Sequence, residues 1–166
     1  DSAIRWAAEH ALPDLEARAR GNLAVLLTQL GRTAEAAEHL DIATRIAPSS
    51  ARGFIIYLTG VSSHRRGDHR EACALYDRAQ PLLEEAGDIT TVEVLRLNRG
   101  VSLIYLGDLN GARVELAAAE QAATRLGLTV LAGMAAHDLG FLEGRRGHLA
   151  DALEAYDRAE ARYREL

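Results

Sequence analysis

Small residues that recur in phase along this chain leave it few ways to fold. The pattern is clearest from Gly133 to Ala159, GMAAHDLGFLEGRRGHLADALEAYDRA. This stretch reads as two helices folded back on each other at Gly147. On the first helix Gly140 is small; on the second, Ala152 and Ala159 are small and Tyr156 between them is large. The spacing Ala152, Tyr156, Ala159 is i, i+4, i+7, one face of a 3.6-residue helix. Small residues at facing positions let two helix backbones approach closely, and the one aromatic fills the remaining space. Three upstream copies of the same frame make the chain an array.

The copies align by position. Turn glycines stand at Gly31, Gly67, Gly107 and Gly147, spaced 36, 40 and 40 residues apart. Seven residues before each is Ala24, Gly60, Gly100 or Gly140; five after is Ala36, Ala72, Ala112 or Ala152. Nine after is Leu40, Tyr76, Leu116 or Tyr156, and twelve after is Ala43, Ala79, Ala119 or Ala159. Each slot carries the expected size class, with the glycines in phase.

This frame resembles the tetratricopeptide repeat, a family 34 residues in period. Pro48 falls where that family often has its closing proline. The resemblance spans about Leu15 to Leu166. It departs where the family usually has tryptophan and this chain has Arg20, Ile56, Arg96 and Ala136. It implies an all-α fold: an α-solenoid of four helix-turn-helix repeats behind an extra N-terminal helix, in a right-handed superhelical stack. On this reading residues 1–166 are one domain. Residues 1–13 are the helix of a broken upstream repeat, and the repeats are 15–48, 51–88, 90–127 and 129–166. The whole reads as a segment of a larger protein.

Local signals predict the helices. Ser2 to Leu12 looks helical, with Pro13 either stopping the helix or bending the chain and Trp6 as an anchor on the first repeat. Asp14 and Thr33 are expected to cap helices ending near Leu30 and Ala47. The second pair is expected at Ala51–Arg66 and His69–Ala86, capped by Asp68, with a kink at Pro81. The third is expected at Thr90–Leu106 and Leu109–Leu126, capped by Asp108. The fourth is expected at Thr129–Arg146 and Leu149–Glu165. No stretch alternates with period two long enough to suggest a strand.

Composition excludes several classes of function. Net charge is −5, which argues against a general binder of the phosphate backbone, so no nucleic-acid partner is expected. No apolar run reaches the ~18 residues of a membrane span. A single cysteine, Cys73, excludes an intrachain disulfide framework and fits a reducing compartment, so a cytoplasmic location is expected. Cys73 reads as a buried, inert thiol. There is no phosphate loop, His-Glu-x-x-His, paired CxxC or Gly-x-Ser-x-Gly, so no catalysis, cofactor or metal is expected. His64 and His69 flank a turn and could share a metal, but a structural metal is disfavoured. Arg66-Gly67-Asp68 is the adhesion tripeptide in letters; here the glycine is a turn residue and the aspartate a helix cap.

The resemblance implies instead a binding surface on the inner wall formed by the first helices. The residues it places there are Asn22 in the first repeat and Tyr57, Val61, His64 and Arg65 in the second. The third supplies Asn98, Val101 and Tyr105, and the fourth His137, Asp138, Phe141 and Arg145. Phe54, Val94 and Met134 match the same slots but are expected to be merely buried. Asparagine can donate and accept at once to a peptide backbone, and aromatics supply contact area at low entropic cost. The chain has no lysine, so the family's clamp for chaperone tails is not expected. The favoured reading is a scaffold that binds a protein or peptide segment. One alternative is the regulatory arm of a larger enzyme or switch, because the lengthened repeats resemble those of actinobacterial CHAT-type peptidases and STAND-type regulators. The other is a self-association module that forms a homodimer through exposed solenoid ends.

Overall fold

The computed structural model describes residues 2–166. Among these residues the backbone forms nine α-helices and no strand, so the fold is all-α. In chain order they are α1 (Ser2–Glu9), α2 (Pro13–Gln29), α3 (Thr33–Ile46), α4 (Ser49–Arg65) and α5 (His69–Glu85). They continue with α6 (Ile89–Leu106), α7 (Leu109–Arg125), α8 (Thr129–Arg146) and α9 (Leu149–Arg164). No described helix is long and apolar enough to cross a membrane. The chain divides into two compact units, one ending at Thr91 and one spanning Val92–Leu166.

In the first unit α2 pairs with α3 and α4 with α5, while α4 also packs on α2 and α3, and α1 packs on α2. Its core is made largely of alanine. Ala17, Ala43, Ala47 and Ala51 cluster with Ile55, and Ala24 and Ala36 cluster with Leu27 and Leu40. In the second unit α8 packs against both α7 and α9. There Leu97 and Ile104 of α6, Leu116 and Ala119 of α7, and Leu131, Leu139 and Leu142 of α8 share one core.

The in-phase small residues meet their large partners across each hairpin. A Cβ added to Gly60 would lie 2.6 Å from Tyr76 Cε1, and one on Gly100 would lie 2.7 Å from Leu116 Cγ. One on Gly140 would lie 2.8 Å from Tyr156 Cδ1. In the first hairpin Ala24 and Leu40 occupy the same two slots and share a cluster. The flanking alanines, Ala36, Ala72, Ala112, Ala152, Ala43, Ala79, Ala119 and Ala159, are all buried. Gly147 closes α8 in the left-handed region at φ 81°, which a side chain would strain. Gly31, Gly67 and Gly107 do the same for the other hairpins.

Several local expectations give way to packing. Pro13 does not stop α1; it opens α2 at its first turn, where a missing N–H costs nothing. Asp14 is therefore inside that turn and pairs with Arg18 at 3.0 Å rather than capping. Trp6 is half exposed and stacks on His10, because α1 is short and turns Ile4 and Ala7 inward. Thr33 is the first residue of α3, with Arg32 in the capping position and no side-chain capping bond. Asp68 holds the cap position of α5, yet its carboxylate is taken by Arg66 at 3.3 Å. Asp108 does cap α7, accepting from the Gly111 N–H at 2.9 Å. Pro81 does lie inside the fifth helix, as expected. Cys73 is partly exposed rather than buried. Tyr156 covers Gly140 with one face, but 37% of it remains exposed.

Two glycine substitutions separate packing from helix propensity. Leu116 is fully buried and cannot retreat. Gly100→Ala is expected to lower stability by about 1–2 kcal/mol, overpacking exceeding the roughly 1 kcal/mol that alanine gains in propensity. Gly144, also in a helix, has nothing within 4 Å of an added Cβ. Gly144→Ala is expected to raise stability by about 0.5–1 kcal/mol. Urea unfolding of both variants checks the opposite signs. The Tyr76 hydroxyl is buried with no partner, and burial, then the nearby Tyr57, pushes its pKa up. Tyr76→Phe is expected to be neutral or stabilising by up to about 1 kcal/mol in the same assay, because it removes an unsatisfied polar atom.

Candidate functional site

The residues expected to face a partner divide between the two units. In the first unit Asn22 and Arg65 are exposed and His64 is half-buried. Tyr57 and Val61 are not available for binding as expected: each is only 8% exposed. The Tyr57 ring lies 6.1 Å from that of Tyr76 on α5, so hairpin packing has taken it up. Phe54 is half-buried, with the Arg18 guanidinium 4.8 Å above its ring. The two histidines that flank the turn do meet, with His64 Nδ1 3.3 Å from His69 Nδ1. Burial, then the charges of His69 and Arg65, lowers the His64 pKa.

In the second unit the first helices carry two matching ladders. On α6 they are Val94, Asn98, Val101 and Tyr105; on α8, forty residues later, Met134, Asp138, Phe141 and Arg145. Both run i, i+4, i+7, i+11, so each lies on one helix face. Val94 and Val101 are partly covered by the core. Tyr105 is 59% exposed, and Met134 and Phe141 are each 43% exposed. Met134 is thus open to solvent, contrary to the expectation that it is buried. Asp138 is half-buried beside exposed His137, whose Nδ1 lies 3.2 Å from its carboxylate. Burial raises the Asp138 pKa, and the hydrogen bond from His137 works against that rise. The His137 ring packs edge-on against Tyr156, 5.5 Å between centroids.

The densest polar cluster was not anticipated from sequence. Glu143 of α8 is buried at the end of the hairpin. Its Oε1 accepts from Arg113 of α7 at 3.1 Å and from Arg146 at 3.2 Å. His148 Nδ1, at the start of α9, lies 2.8 Å from its other oxygen. Glu143, His148 and Asp151 place ligand atoms within 4.8 Å of one another, the one such group among the described residues. Two guanidinium groups already satisfy the Glu143 charge, so the cluster is an ion-pair knot that fixes α7, α8 and α9. An open cleft of about 290 Å³ beside it is lined by Arg113, Glu120, Asp151 and Arg158. Its arginines are spent on its own acids, Arg113 on Glu143 and Arg158 on Glu120.

The knot makes stability depend on pH with a definite sign. Burial opposes the Glu143 charge, but the His148 hydrogen bond and the Arg146 and Arg113 charges outweigh it and hold the carboxyl below its ordinary value. The stabilisation is therefore complete above the unfolded-state pKa of about 4.3 and is lost as pH falls through the folded value. Glu143→Gln is expected to cost about 1–3 kcal/mol near neutral pH. The gap to the unmodified protein should narrow below about pH 4, where the unfolded carboxylate protonates. Chemical denaturation at a series of pH values reads both effects.

Comparison with models of known protein families finds none that matches this chain, and no curated protein matches it.

Proposed function

We propose that this chain is a helical-repeat scaffold of the tetratricopeptide kind, which binds a protein or peptide segment and performs no chemistry of its own. The observation that carries this reading is the α6 and α8 ladders of the second unit. Large apolar side chains, Tyr105, Met134 and Phe141, stand in solvent where burial would favour them. They alternate with Asn98 and the His137–Asp138 pair, which supply donors and acceptors for a peptide backbone. Apolar anchors beside a few polar points are the composition of a binding hot spot. Four small-against-large hairpin contacts at one repeat phase support the family reading. The exclusion of Tyr57 and Val61 narrows the proposed surface to the ladder residues.

A peptide array followed by pull-down tests the reading. The double variant Tyr105→Ala with Phe141→Ala removes two solvent-exposed anchors and should leave helix content unchanged. Binding of captured segments is expected to fall at least about tenfold. Undiminished binding by the double variant would overturn the assignment of these faces.

A further inference from the structure

We infer that His64 and His69, which meet across the turn between α4 and α5, form a binding site for a divalent transition-metal ion of the Zn²⁺ class. The pair belongs to the first unit and the proposed peptide-binding ladders to the second, so this goes beyond that reading. The two Nδ1 atoms are 3.3 Å apart. Two nitrogens held at about 2.0–2.1 Å by one tetrahedral ion stand about 3.3–3.4 Å apart, so the donors already have the spacing of a coordination edge. The ring centroids are 5.0 Å apart and the planes are inclined by 63°, so the rings meet through their edges and do not stack. Both rings are half-buried, and the backbone fixes their spacing. The Gly67 N–H donates to the His64 carbonyl at 3.0 Å and the Asp68 N–H to that of Ser63 at 2.9 Å, with Gly67 in the left-handed region. Behind the turn, the Tyr76 ring lies against Gly60 and holds α5 on α4. A donor pair placed by the fold loses little freedom on binding.

Nothing in the hairpin frame requires histidine in these two slots. Three residues before and two after the turn glycine, the other copies carry Thr28 and Thr33, Ile104 and Leu109, and Gly144 and Leu149. In the third copy the slots serve packing: Ile104 is in the core and Leu109 lies against it. Only the second copy sets two nitrogen donors there. Without an ion, one ring can donate its Nδ1–H to the other. Binding needs both rings as Nε2–H tautomers, so that both Nδ1 lone pairs face the ion; one proton changes nitrogen through water and none is lost. Neighbouring charge permits a dication. Arg66 is engaged by Asp68 at 3.3 Å and Glu71 at 3.2 Å, and Arg65 by the Gln29 side-chain oxygen of α2. Imidazole donors select Zn²⁺, Ni²⁺ or Cu²⁺ over Mg²⁺ and Ca²⁺. Two protein ligands leave the other positions to water, so the ion is exchangeable and the fold stands without it. The Glu143 group offers three donors, but Arg113 and Arg146 already hold its buried carboxylate, and a dication there would face both guanidinium groups.

Calorimetric titration of the full chain with zinc chloride, with NMR of the imidazole nitrogens on the same sample, tests this. One equivalent of Zn²⁺ is expected to bind and to shift the Nδ1 signals of His64 and His69, leaving those of His137 and His148 in place. Magnesium chloride should do neither. His64→Gln or His69→Gln should weaken Zn²⁺ binding at least about tenfold, because even changes outside the ligand shell cost metal sites about 10–100-fold. His148→Gln, in the other histidine-containing cluster, should leave binding unchanged. Circular dichroism confirms that the variants keep their helices; should one not fold, the nitrogen shifts of the unmodified protein decide alone. Absence of Zn²⁺ binding, shifts at His148 in place of the pair, or undiminished binding by both Gln variants of the pair overturns the inference.

Discussion

The contact on which both units depend is a helix backbone covered directly by one large side chain from the helix packed against it. At Gly60 the cover is the Tyr76 ring; at Gly100 it is Leu116; at Gly140 it is Tyr156. Without a Cβ in the way, ring or branched chain sits on the peptide units themselves, and many weak dispersion contacts accumulate. The neighbouring alanines matter for the same reason: with Ala72 and Ala79 on either side, nothing holds the two helices apart. A chain with only 5% aromatic residues gains much of its cohesion this way. The arrangement leaves the Tyr76 hydroxyl in the interior without a partner. Closeness of packing has outweighed the desolvation of one polar atom.

Three of the buried hydroxyl side chains in these interiors are satisfied by their own helix. Thr28 donates to the Ala24 carbonyl, Ser63 to Thr59 and Ser102 to Asn98, each one turn back. Such bonds let small hydroxyl residues replace alanine at buried positions. Longer polar links appear where hairpins must be held in register. Glu143 gathers groups from α7, from the end of α8 and from the first residues leading into α9. Arg158 ties α9 back to Glu120 of α7 at 2.8 Å. The apolar contacts bring the second unit's helices together, and these charged links select one alignment among them.

The hairpin frame was legible because it rests on size, and size is written in the residue letters. Gly31, Gly67, Gly107 and Gly147 mark the turns, and all have positive φ. Helix ends from α2 onward were read to within a residue or two, whereas α1 stops at Glu9, three residues before the expected Leu12. Capping was read less well: only Asp108 of the proposed caps bonds as expected, since arginines capture Asp14 and Asp68 first. The candidate site was harder to read for a physical reason. A position on the first helix can face either solvent or the second helix, depending on the rotation of the helix about its axis. Tyr57, expected to face a partner, is buried, and Met134, expected to be buried, is exposed, the reverse of what their repeat slots implied.

The sequence by itself determined that the chain is helical, where each hairpin turns, and which small residue lies opposite which large one. Those properties follow from backbone conformation and side-chain volume, which are local. Tertiary structure decided which apolar residues are spent on the core and which remain exposed, because that depends on what covers each face. Leu116 and Tyr156 occupy equivalent slots; the first is sealed beneath α8, and the second keeps an open side on α9. Tertiary structure alone also brought Arg113, thirty residues away in the chain, to Glu143. No spacing in the sequence announces that pair, since the distance is closed by a turn of the fold and not by a turn of a helix.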